Sequence, residues 1–456
     1  MSDFQKCAKT FSTPEEMASN YLKMYFQGRE IIYPINPFQM LKDEDIVFSF
    51  RPFDKLEGVY LPAENVHDIP VVAINLHRPI TRQRFTAAHE LCHHFRDYDT
   101  QIFCNTYSPH ISIEKFADRF AAALLMPISE LKKIVDARKH NGYVSFDDVL
   151  KIADYFGVSF ESCVFRIAYH LHAIEGDCES KKLKRRISEY GPERKRKEHN
   201  MNYVTLYEGL MDAYEQIFSF EPTEYARNVF QNVYIYNDSR MEGVDITLTE
   251  ASEIVTDLRL NKQNSTYCNE NPESEPYMSI AGNYAMYQKV LDSAQKQTCS
   301  VFDTVPLNKE LFSHYPHPEY GGTIRQSNAL VMGAKFNTVS YEYIFSELIK
   351  IDEEIEEVFK QYHEMNPSTY IKKVFEFHHR LTVIHPFADG NGRTLRAFMN
   401  AQLVRKNISP LYIKTEEKDD YFSALEIADT THNYSPLYEV LFKCLLRSSF
   451  ELTTTE

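Results

Sequence analysis

The stretch that decides the fold of the C-terminal half is His385-Pro386-Phe387-Ala388-Asp389-Gly390-Asn391-Gly392-Arg393-Thr394-Leu395-Arg396. Upstream of it, apolar side chains recur three or four residues apart, which predicts a helix that begins near Pro367. A second helix is predicted from Thr394 through Val404. The stretch is therefore expected to form a glycine-rich turn between two helices.

The glycines and arginines of this turn favour an anion site. Gly390 and Gly392 allow the backbone to approach a ligand closely. The helix that follows directs its free N–H groups and the positive end of its dipole at the same place. Arg393 and Arg396 add guanidinium groups that can bind phosphate oxygens in pairs. These residue types in this order predict a cradle for nucleotide phosphates.

Two more side chains of the turn add chemistry to this cradle. Asp389 offers hard oxygen ligands for a Mg²⁺ ion that is shared with phosphates. His385 titrates near neutral pH and can take a proton from a hydroxyl group. Each residue by itself is compatible with a loop that only connects two helices. The whole ordered set instead predicts a phosphate site with a general base beside it.

The order His-Pro-Phe-x-Asp-Gly-Asn-Gly-Arg-x-x-Arg resembles the signature of the Fic family, and every fixed position matches. The resemblance covers about residues 202–448 and implies a mainly α-helical domain that transfers AMP from ATP to a hydroxyl of a protein. It implies that His385 activates the target hydroxyl, that Asp389 holds Mg²⁺ on the phosphates, and that Phe387 anchors the turn in the core. It also implies phosphate contacts for Gly390, Asn391, Gly392, Arg393 and Arg396.

The resemblance extends to two neighbouring segments. Residues 321–325 and the apolar run at 329–334 are similar to the β-hairpin flap with which Fic proteins dock a target segment by strand addition. An ordinary hairpin is the alternative. Residues 421–428 fall where the family has a helix near the adenine pocket.

A regulatory element is predicted further upstream. From the residues alone, Asp238 or Ser239 can cap a short helix that ends at Gly243, and Glu242 is then an ordinary carboxylate at the helix end. The segment is similar to the inhibitory helix of Fic proteins, which implies that Glu242 pairs with Arg396 and occupies the space of the γ-phosphate. Asp238 stands where the family has Ser or Thr, and it is expected to cap the helix as they do.

The N-terminal half carries a metal-binding pattern. His89 and His93 are four residues apart on one predicted helix, so two imidazoles can share a Zn²⁺ ion, and Glu90 is placed to deprotonate a zinc-bound water. Glu114 can complete a two-His, one-Glu site with an open fourth position. Asp118, four residues further on, can accept a hydrogen bond from a ligand imidazole. A solvated histidine cluster and a surface charge pair are the alternatives.

These motifs resemble the ImmA/IrrE metallopeptidases: Arg-Phe-Thr-x-Ala-His-Glu-Leu-x-His, then Glu-x-x-Ala-Asp-x-Phe-Ala, then Leu-Leu-Met-Pro. The resemblance covers about residues 14–172 and includes a helix-turn-helix-like element at 152–159. It implies an α+β, zincin-like domain and zinc-dependent proteolysis, often of a transcriptional repressor or antitoxin. Cys92 departs from the usual Gly of the family, and His94, which is off the ligand face, is expected to be structural.

Local patterns supply the remaining elements of the N-terminal half. Residues 14–27 are predicted to form an amphipathic helix. Strand-like runs follow at 46–50, 58–61 and 71–74, which predicts a small sheet beside helices. A polar loop is predicted at 262–275.

Composition and charge limit the domain plan and the partners. The chain is predicted to contain a peptidase-like domain at 1–172, a basic linker at 173–201 and a Fic domain at 202–456, with the inhibitory helix near 237–243. The net charge of −15 argues against a broad nucleic-acid surface and leaves only the basic linker as a local contact of that kind. The scattered cysteines and the lack of a signal peptide or apolar span predict a cytoplasmic, non-membrane protein with free thiols.

The leading hypothesis is an autoinhibited protein adenylyltransferase fused to a zinc-dependent peptidase, with ATP, Mg²⁺ and Zn²⁺ as cofactors. The peptidase would act on a repressor, an antitoxin or the protein itself, in a toxin–antitoxin type of stress control. One alternative makes the zinc module a sensor or partner-binding domain without proteolysis. Another keeps the Fic fold but transfers a different phosphate-linked group. The target proteins and the oligomeric state stay open.

Overall fold

The computed structural model describes residues 3–65, 68–98, 102–104, 111–176, 179–218, 223–260, 274–330 and 337–453. The chain divides into two compact units, Met1–Tyr214 and Glu215–Glu456. The predicted limits of the peptidase-like domain, the linker and the Fic domain stay predictions. Helices dominate both units and a small sheet lies in the first, which confirms the predicted fold classes.

The first unit combines strands with helices. Its described elements are α1 (Asp3–Ala8), α2 (Pro14–Phe26), α3 (Pro37–Asp43), β1 (Val47–Arg51), β2 (Gly58–Leu61), β3 (Val71–Asn75), α4 (Ile80–Arg96), β4 (Ile102–Cys104), α5 (Ile111–Leu125), α6 (Ile128–Asp136), α7 (Phe146–Phe156), α8 (Phe160–Leu171), α9 (Ser180–Tyr190), α10 (Pro192–Glu198) and α11 (Val204–Ala213). The amphipathic helix and the three predicted strands are confirmed to within one residue at each end. The basic stretch predicted as a linker contains the helices α9 and α10.

The sheet has the strand order β1-β3-β2-β4. β1 runs parallel to β3 with Val47 opposite Val71, and β2 is antiparallel to both β3 and β4. Apolar side chains of β1 and β3, such as Phe48 and Val72, are buried, as expected for a sheet that packs on helices. β4, which no local sequence pattern predicts, pairs with the outer edge of β2.

Helices α4 and α5 pack against each other and carry the metal-binding pattern. α4 is buried along most of its length, so its polar side chains lie inside the unit. Arg84 fixes the start of this helix, because Nε donates to Gly157 O at 3.0 Å and Nη2 donates to Ile35 O at 2.7 Å. Burial lowers the pKa of Arg84 to about 9.

The second unit is mainly helical. Its described helices are α12 (Glu224–Met241), α13 (Leu248–Arg259), α14 (Glu275–Asp292), α15 (Thr304–Leu311), α16 (Ile344–Lys360), α17 (Pro367–Ile384), α18 (Asn391–Val404), α19 (Lys418–Thr431) and α20 (Ser435–Thr453). α18 packs against α14, α15 and α17, so the glycine-rich turn lies among buried helices. The predicted helix–turn–helix is confirmed, although α18 starts three residues earlier than predicted.

The prediction of a short inhibitory helix is wrong about the length of the helix. Asp238 and Ser239 lie inside the 18-residue helix α12, and neither of them caps a helix start. The N-cap is Thr223, whose hydroxyl accepts from the backbone N–H of Ala226. The expected end near Gly243 is confirmed, because Glu242 is the C-cap residue and Gly243 has a φ of 92°.

The structure describes only part of the predicted flap and of the predicted polar loop. Ile324 forms an antiparallel bridge with Phe387, and the Thr338 hydroxyl donates to Ala329 O at 2.6 Å. Residues 331–336 and nearly all of the predicted polar loop lie outside the described residues. None of the helices that the structure describes is both long enough and apolar enough to cross a membrane.

Candidate functional site

The turn between α17 and α18 begins at the half-buried His385. His385 ends α17 in the left-handed region, with a φ of 53°, and Gly390 begins α18 with a φ of 73°. The carbonyl of His385 accepts from Nε of Arg325 at 2.7 Å, and the Arg325 backbone N–H donates to Pro386 O at 2.9 Å. Arg325 also donates to the carbonyls of Ser327, Val339 and Ile384. This buried arginine, which sequence reasoning missed, therefore holds the predicted base in place.

The middle of the turn is fixed by its own side chains. Phe387 is buried, as predicted for a core anchor. The Asn391 side chain donates to Phe387 O at 2.8 Å and accepts from Phe387 N at 2.9 Å. Asn308 of α15 donates to Asp389 O and to the Thr394 hydroxyl, both at 3.1 Å. Because the Asn391 amide is used within the turn, this residue can face a ligand through its backbone N–H.

The predicted anion site lies at the N-terminus of α18, and Glu242 reaches into it. Nη2 of Arg396 donates to Glu242 Oε1 at 2.7 Å. A Cβ atom added to Gly392 would lie 2.5 Å from Glu242 Oε1 and 3.0 Å from Arg396 Nη1. A side chain at position 392 would therefore displace the carboxylate from the start of the helix. The structure brings these three predicted residues together.

Asp238 makes a contact that the sequence did not predict. Its Oδ1 accepts from Nε of Arg396 at 2.5 Å, and its Oδ2 accepts from Nδ2 of Asn283 at 3.0 Å. Asp238 and Arg396 are both buried. The expectation that Asp238 caps a helix is therefore wrong, because the carboxylate is an ion-pair partner inside α12.

The charges of this cluster follow from burial and pairing. Burial would raise the pKa of the Glu242 carboxyl, but the pairing with Arg396 outweighs it and lowers the pKa below its usual value. Burial raises the pKa of Asp238, and Arg396 opposes that shift. Burial also lowers the pKa of the His385 imidazole, although the Asp389 and Glu242 carboxylates oppose the lowering. The imidazole is therefore neutral at neutral pH, as a base must be.

Arg393, a predicted phosphate ligand, is buried, whereas Asp389, the predicted magnesium ligand, is exposed. Arg393 is buried, and its Nη1 donates to the Ser279 hydroxyl at 3.2 Å. Within the described part of the chain its Nε finds no hydrogen-bond partner, so a buried donor is left for a ligand. Asp389 is exposed and accepts from the Gly390 backbone N–H at 2.6 Å. One oxygen of Asp389 is thus bound and the carboxylate faces the solvent side of the turn.

The predicted metal ligands of the first unit converge on one point. The Nε2 atoms of His89 and His93 are 3.0 Å apart. Glu114 Oε2 lies 3.3 Å from Nε2 of His89, and Glu114 Oε1 lies 3.8 Å from Nε2 of His93. Among the described residues, these three form a cluster whose ligand atoms all lie within 4.8 Å of one another.

The hydrogen bonds behind these imidazoles show that the cluster fits a cation. His89 Nδ1 lies 3.0 Å from Asp118 Oδ1, as predicted, and His93 Nδ1 lies 2.9 Å from Asp97 Oδ2. Each Nδ1 therefore donates to a carboxylate, which leaves both Nε2 lone pairs directed at each other and at Glu114. Such a donor set is stable only around a positive charge, and two imidazoles with one carboxylate are ligands that Zn²⁺ prefers. Asp97 was missed, although its spacing of four residues from His93 was a signal.

Glu90, Cys92 and His94 lie near the ligand cluster and differ in their hydrogen bonds. Both carboxylate oxygens of Glu90 are buried and have no hydrogen-bond partner among the described residues, and burial raises its pKa. Cys92 is buried, does not belong to the ligand cluster, and has a thiol pKa that burial raises. His94 contacts the Tyr60 hydroxyl through Nδ1 and Gln5 through Nε2, which agrees with a structural role.

The fold and the two sites define a chain that joins a zincin-like unit to a helical unit with a glycine- and arginine-rich turn. Residues 41–168 match the family model of the IrrE N-terminal-like domain of peptidase family M78, and residues 300–403 match that of the Fic/DOC family. The chain therefore contains an IrrE-like domain and a Fic domain, as the resemblances implied.

Curated relatives match the Fic part at low identity. The chain is 26% identical over 137 residues to protein adenylyltransferase fic-1 of Caenorhabditis briggsae, which covers 30% of this chain and 25% of the relative. It is 24% identical over 203 residues to protein adenylyltransferase Fic of Nematostella vectensis, which covers 43% of each chain. The chain thus spans only about a quarter of the length of the nematode enzyme.

Solved structures of Fic proteins also align with the chain. Fic-1 from C. elegans aligns with a TM-score of 0.42 and 18% identity, over 71% of this chain and 90% of that structure. A Fic-domain-containing signaling protein from Bacteroides thetaiotaomicron aligns with a TM-score of 0.42 and 18% identity, over 54% of this chain and 93% of that structure.

Proposed function

We propose that the Fic domain is an autoinhibited protein adenylyltransferase that transfers AMP from ATP to a protein hydroxyl. The observation that carries the proposal is the contact of Glu242 with Arg396 at the N-terminus of α18, where the phosphates would bind. His385 would take the proton of the target hydroxyl, and its lowered pKa keeps it neutral for that role. The adenylyltransferase activity of the curated relatives supports the reaction.

The phosphates would bind where several donors converge. The backbone N–H groups of Gly390, Asn391 and Gly392 lie at the start of α18, and the unpaired Nε of Arg393 adds a buried donor. The N–H of Gly390 would exchange the Asp389 carboxylate for a phosphate oxygen. Arg396 would exchange the Glu242 carboxylate for the terminal phosphate, since one guanidinium fork cannot hold both there. Asp389 would hold Mg²⁺, which neutralises charge on the phosphates. Without that exchange ATP would lie badly placed for in-line attack, which is how Glu242 would inhibit.

The N-terminal unit is proposed to be a zinc-dependent peptidase. His89, His93 and Glu114 would hold Zn²⁺, which would supply the Lewis acid that activates a water molecule for peptide hydrolysis. Asp118 and Asp97 would fix the two imidazoles, and the unpaired Glu90 carboxylate would take the proton of that water. A repressor, an antitoxin or the protein itself is the proposed substrate class.

A sensor or partner-binding domain is the second candidate for this unit. The same ligand set would then report zinc or hold a partner, without proteolysis. The M78 family match favours the peptidase, and the buried, unpaired carboxylate of Glu90 favours it further, because a sensor has no need of a base there. For the Fic domain, transfer of another phosphate-linked group is the alternative, and the adenylyltransferase relatives favour AMP.

The AMP transfer is tested with α-labelled ATP and Mg²⁺. Wild type, Glu242→Gly, and Glu242→Gly combined with His385→Ala are incubated alone and with cell lysate. Protein-bound label is expected from the single variant and from neither of the others. Equal label from the double variant would refute the role of His385, and the absence of label in every sample would refute AMP transfer.

The peptidase is tested on zinc-loaded protein of wild type and Glu90→Gln. Zinc content is measured for both, and cleavage of the protein itself and of lysate proteins is followed by mass spectrometry. Bound zinc in both and cleavage by wild type alone is the expected result. Bound zinc with no Glu90-dependent cleavage would support the sensor instead.

A further inference from the structure

We propose that Asp238 is a positioning residue that orients Arg396 for the outer phosphates of ATP, whether or not Glu242 is bound to the same guanidinium. The inference rests on the proposed function, because it concerns the nucleotide that the turn would bind. It assigns different tasks to two carboxylates that both contact Arg396. Asp238 would hold the arginine permanently, and Glu242 would occupy its phosphate-facing end reversibly.

The contacts of Asp238 use its whole carboxylate. One oxygen accepts from Nε of Arg396 at 2.5 Å, and the other accepts from Asn283 of α14 at 3.0 Å. The Asp238 side chain is only 4% exposed and projects from the last turn of α12 into the interior of the unit. Its departure would leave the buried guanidinium unpaired on one edge, which costs more than the contact itself contributes.

A second helix places a phenol beside Arg396. Nδ1 of His378 lies 3.2 Å from Leu395 O and must donate to it, so Nε2 of the neutral ring accepts. The Tyr421 hydroxyl of α19 lies 2.6 Å from that Nε2 and therefore donates to it. Burial raises the pKa of the Tyr421 phenol, and the neighbouring Arg396 guanidinium opposes that rise. His378 thus holds the phenol in place beside the guanidinium.

Glu242 is held much less firmly than Asp238. It is the C-cap residue of α12, its side chain is 32% exposed, and it accepts at 2.7 Å from Arg396 Nη2. Rotation of this side chain into solvent would uncover Nη2, while Nη1 already lies near the backbone of Gly392. With Nε still bound to Asp238, the freed edge of the guanidinium would face the start of α18. The arginine is thus prepared for phosphate before the nucleotide arrives.

The test compares nucleotide affinities in the Glu242→Gly protein. ATP and AMP, each with Mg²⁺, are titrated by calorimetry into this parent and into the same protein with Asp238→Ala or Asp238→Asn. The Ala change should weaken ATP by about tenfold, the value of one well-oriented charged hydrogen bond, and leave AMP unchanged. The Asn change should restore ATP to within about threefold, because its amide oxygen can still accept from Nε. The free Oδ1 of Asn283 can then accept from the new amide.

AMP is the internal control, since it lacks the outer phosphates that Arg396 would contact. A general loss of structure would weaken both nucleotides equally, whereas a positioning role changes their ratio. An unchanged ratio in the Ala variant would overturn the inference, and so would an Asn variant as weak as the Ala variant. If the Ala variant does not unfold cooperatively, Asp238→Ser replaces it with the same expectation. A parent that binds neither nucleotide would refute the proposed nucleotide site itself.

Discussion

Replacing Glu242 with Ala should strengthen ATP binding by an amount that the structure sets. The change removes one charge-assisted hydrogen bond to Arg396, worth about 1.5–3 kcal/mol, and an anion at the start of α18, worth about 0.3–1 kcal/mol. Because the carboxylate is partly exposed and Arg396 keeps its ion pair with Asp238, we take the low end of the summed free energy, about 2 kcal/mol. ATP must displace this interaction in the wild type, so its removal should lower the Kd for ATP by about thirtyfold.

The assay is calorimetric titration of ATP with Mg²⁺ into the two proteins, together with thermal unfolding in the absence of nucleotide. Without nucleotide, the Glu242→Ala protein should have a Tm about 4–8 °C lower than the wild type, because it lacks the same contact that ATP would have to displace. Glu224→Ala is the matched control, because it removes the same charge from the exposed opposite end of α12, about 27 Å away along the helix. Equal ATP affinity in wild type and Glu242→Ala would refute the reasoning, since the carboxylate would not then compete for the site.

Three further outcomes are expected. The rate of AMP transfer by the Glu242→Gly variant should be constant above pH 6.5 and decrease only below it. Burial lowers the pKa of His385 from 6.5, so the imidazole stays neutral until the pH falls through the lowered value. A rate that decreases as the pH rises through 7 would contradict this expectation. Adding Gly392→Ala to that variant should weaken ATP by more than about tenfold in calorimetry, because the new Cβ fills the space that Glu242 leaves, and an unchanged Kd would contradict it. Zn²⁺ at 100 times its Kd should raise the free energy of unfolding by about 2.7 kcal/mol. The His89→Ala variant should lose this gain, and the His77→Ala variant, which changes an exposed histidine, should retain it. The same thermal shift in all three proteins, measured against a chelator blank, would contradict a specific site.

The elements that sequence could predict are those whose determinants lie close together along the chain. The whole phosphate turn lies between His385 and Arg396, and the helices beside it follow from the spacing of apolar residues. His89 and His93 are likewise four residues apart on one helix. In each case a local period places the side chains on one face, and the tertiary structure only has to bury that face.

The strand β4 and the extent of α12 depended on contacts that no local pattern reveals. β4 has three residues and exists because it pairs with the free edge of β2. The end of α12 buries three consecutive polar residues, Asn237, Asp238 and Ser239, which point to different sides of the helix and give no apolar period. Their burial depends on partners such as Arg396, which is 158 residues away from Asp238. Without those partners, the same residues are typical of a helix start.

The two sites nevertheless share a pattern that a sequence can display. Glu114 and Asp118 are carboxylates four residues apart on one helix, and both contact His89; Asp238 and Glu242 have the same spacing, and both contact Arg396. For the first pair, the spacing rule predicts the observed contact of Asp118 with His89. For the second pair, a predicted helix start at Asp238 leads to a different expectation, because a capping residue points back along its own backbone and not toward a distant cation. The error in the boundary thus became an error in chemistry, because a carboxylate can act as an ion-pair partner across helices only if the helix continues past it.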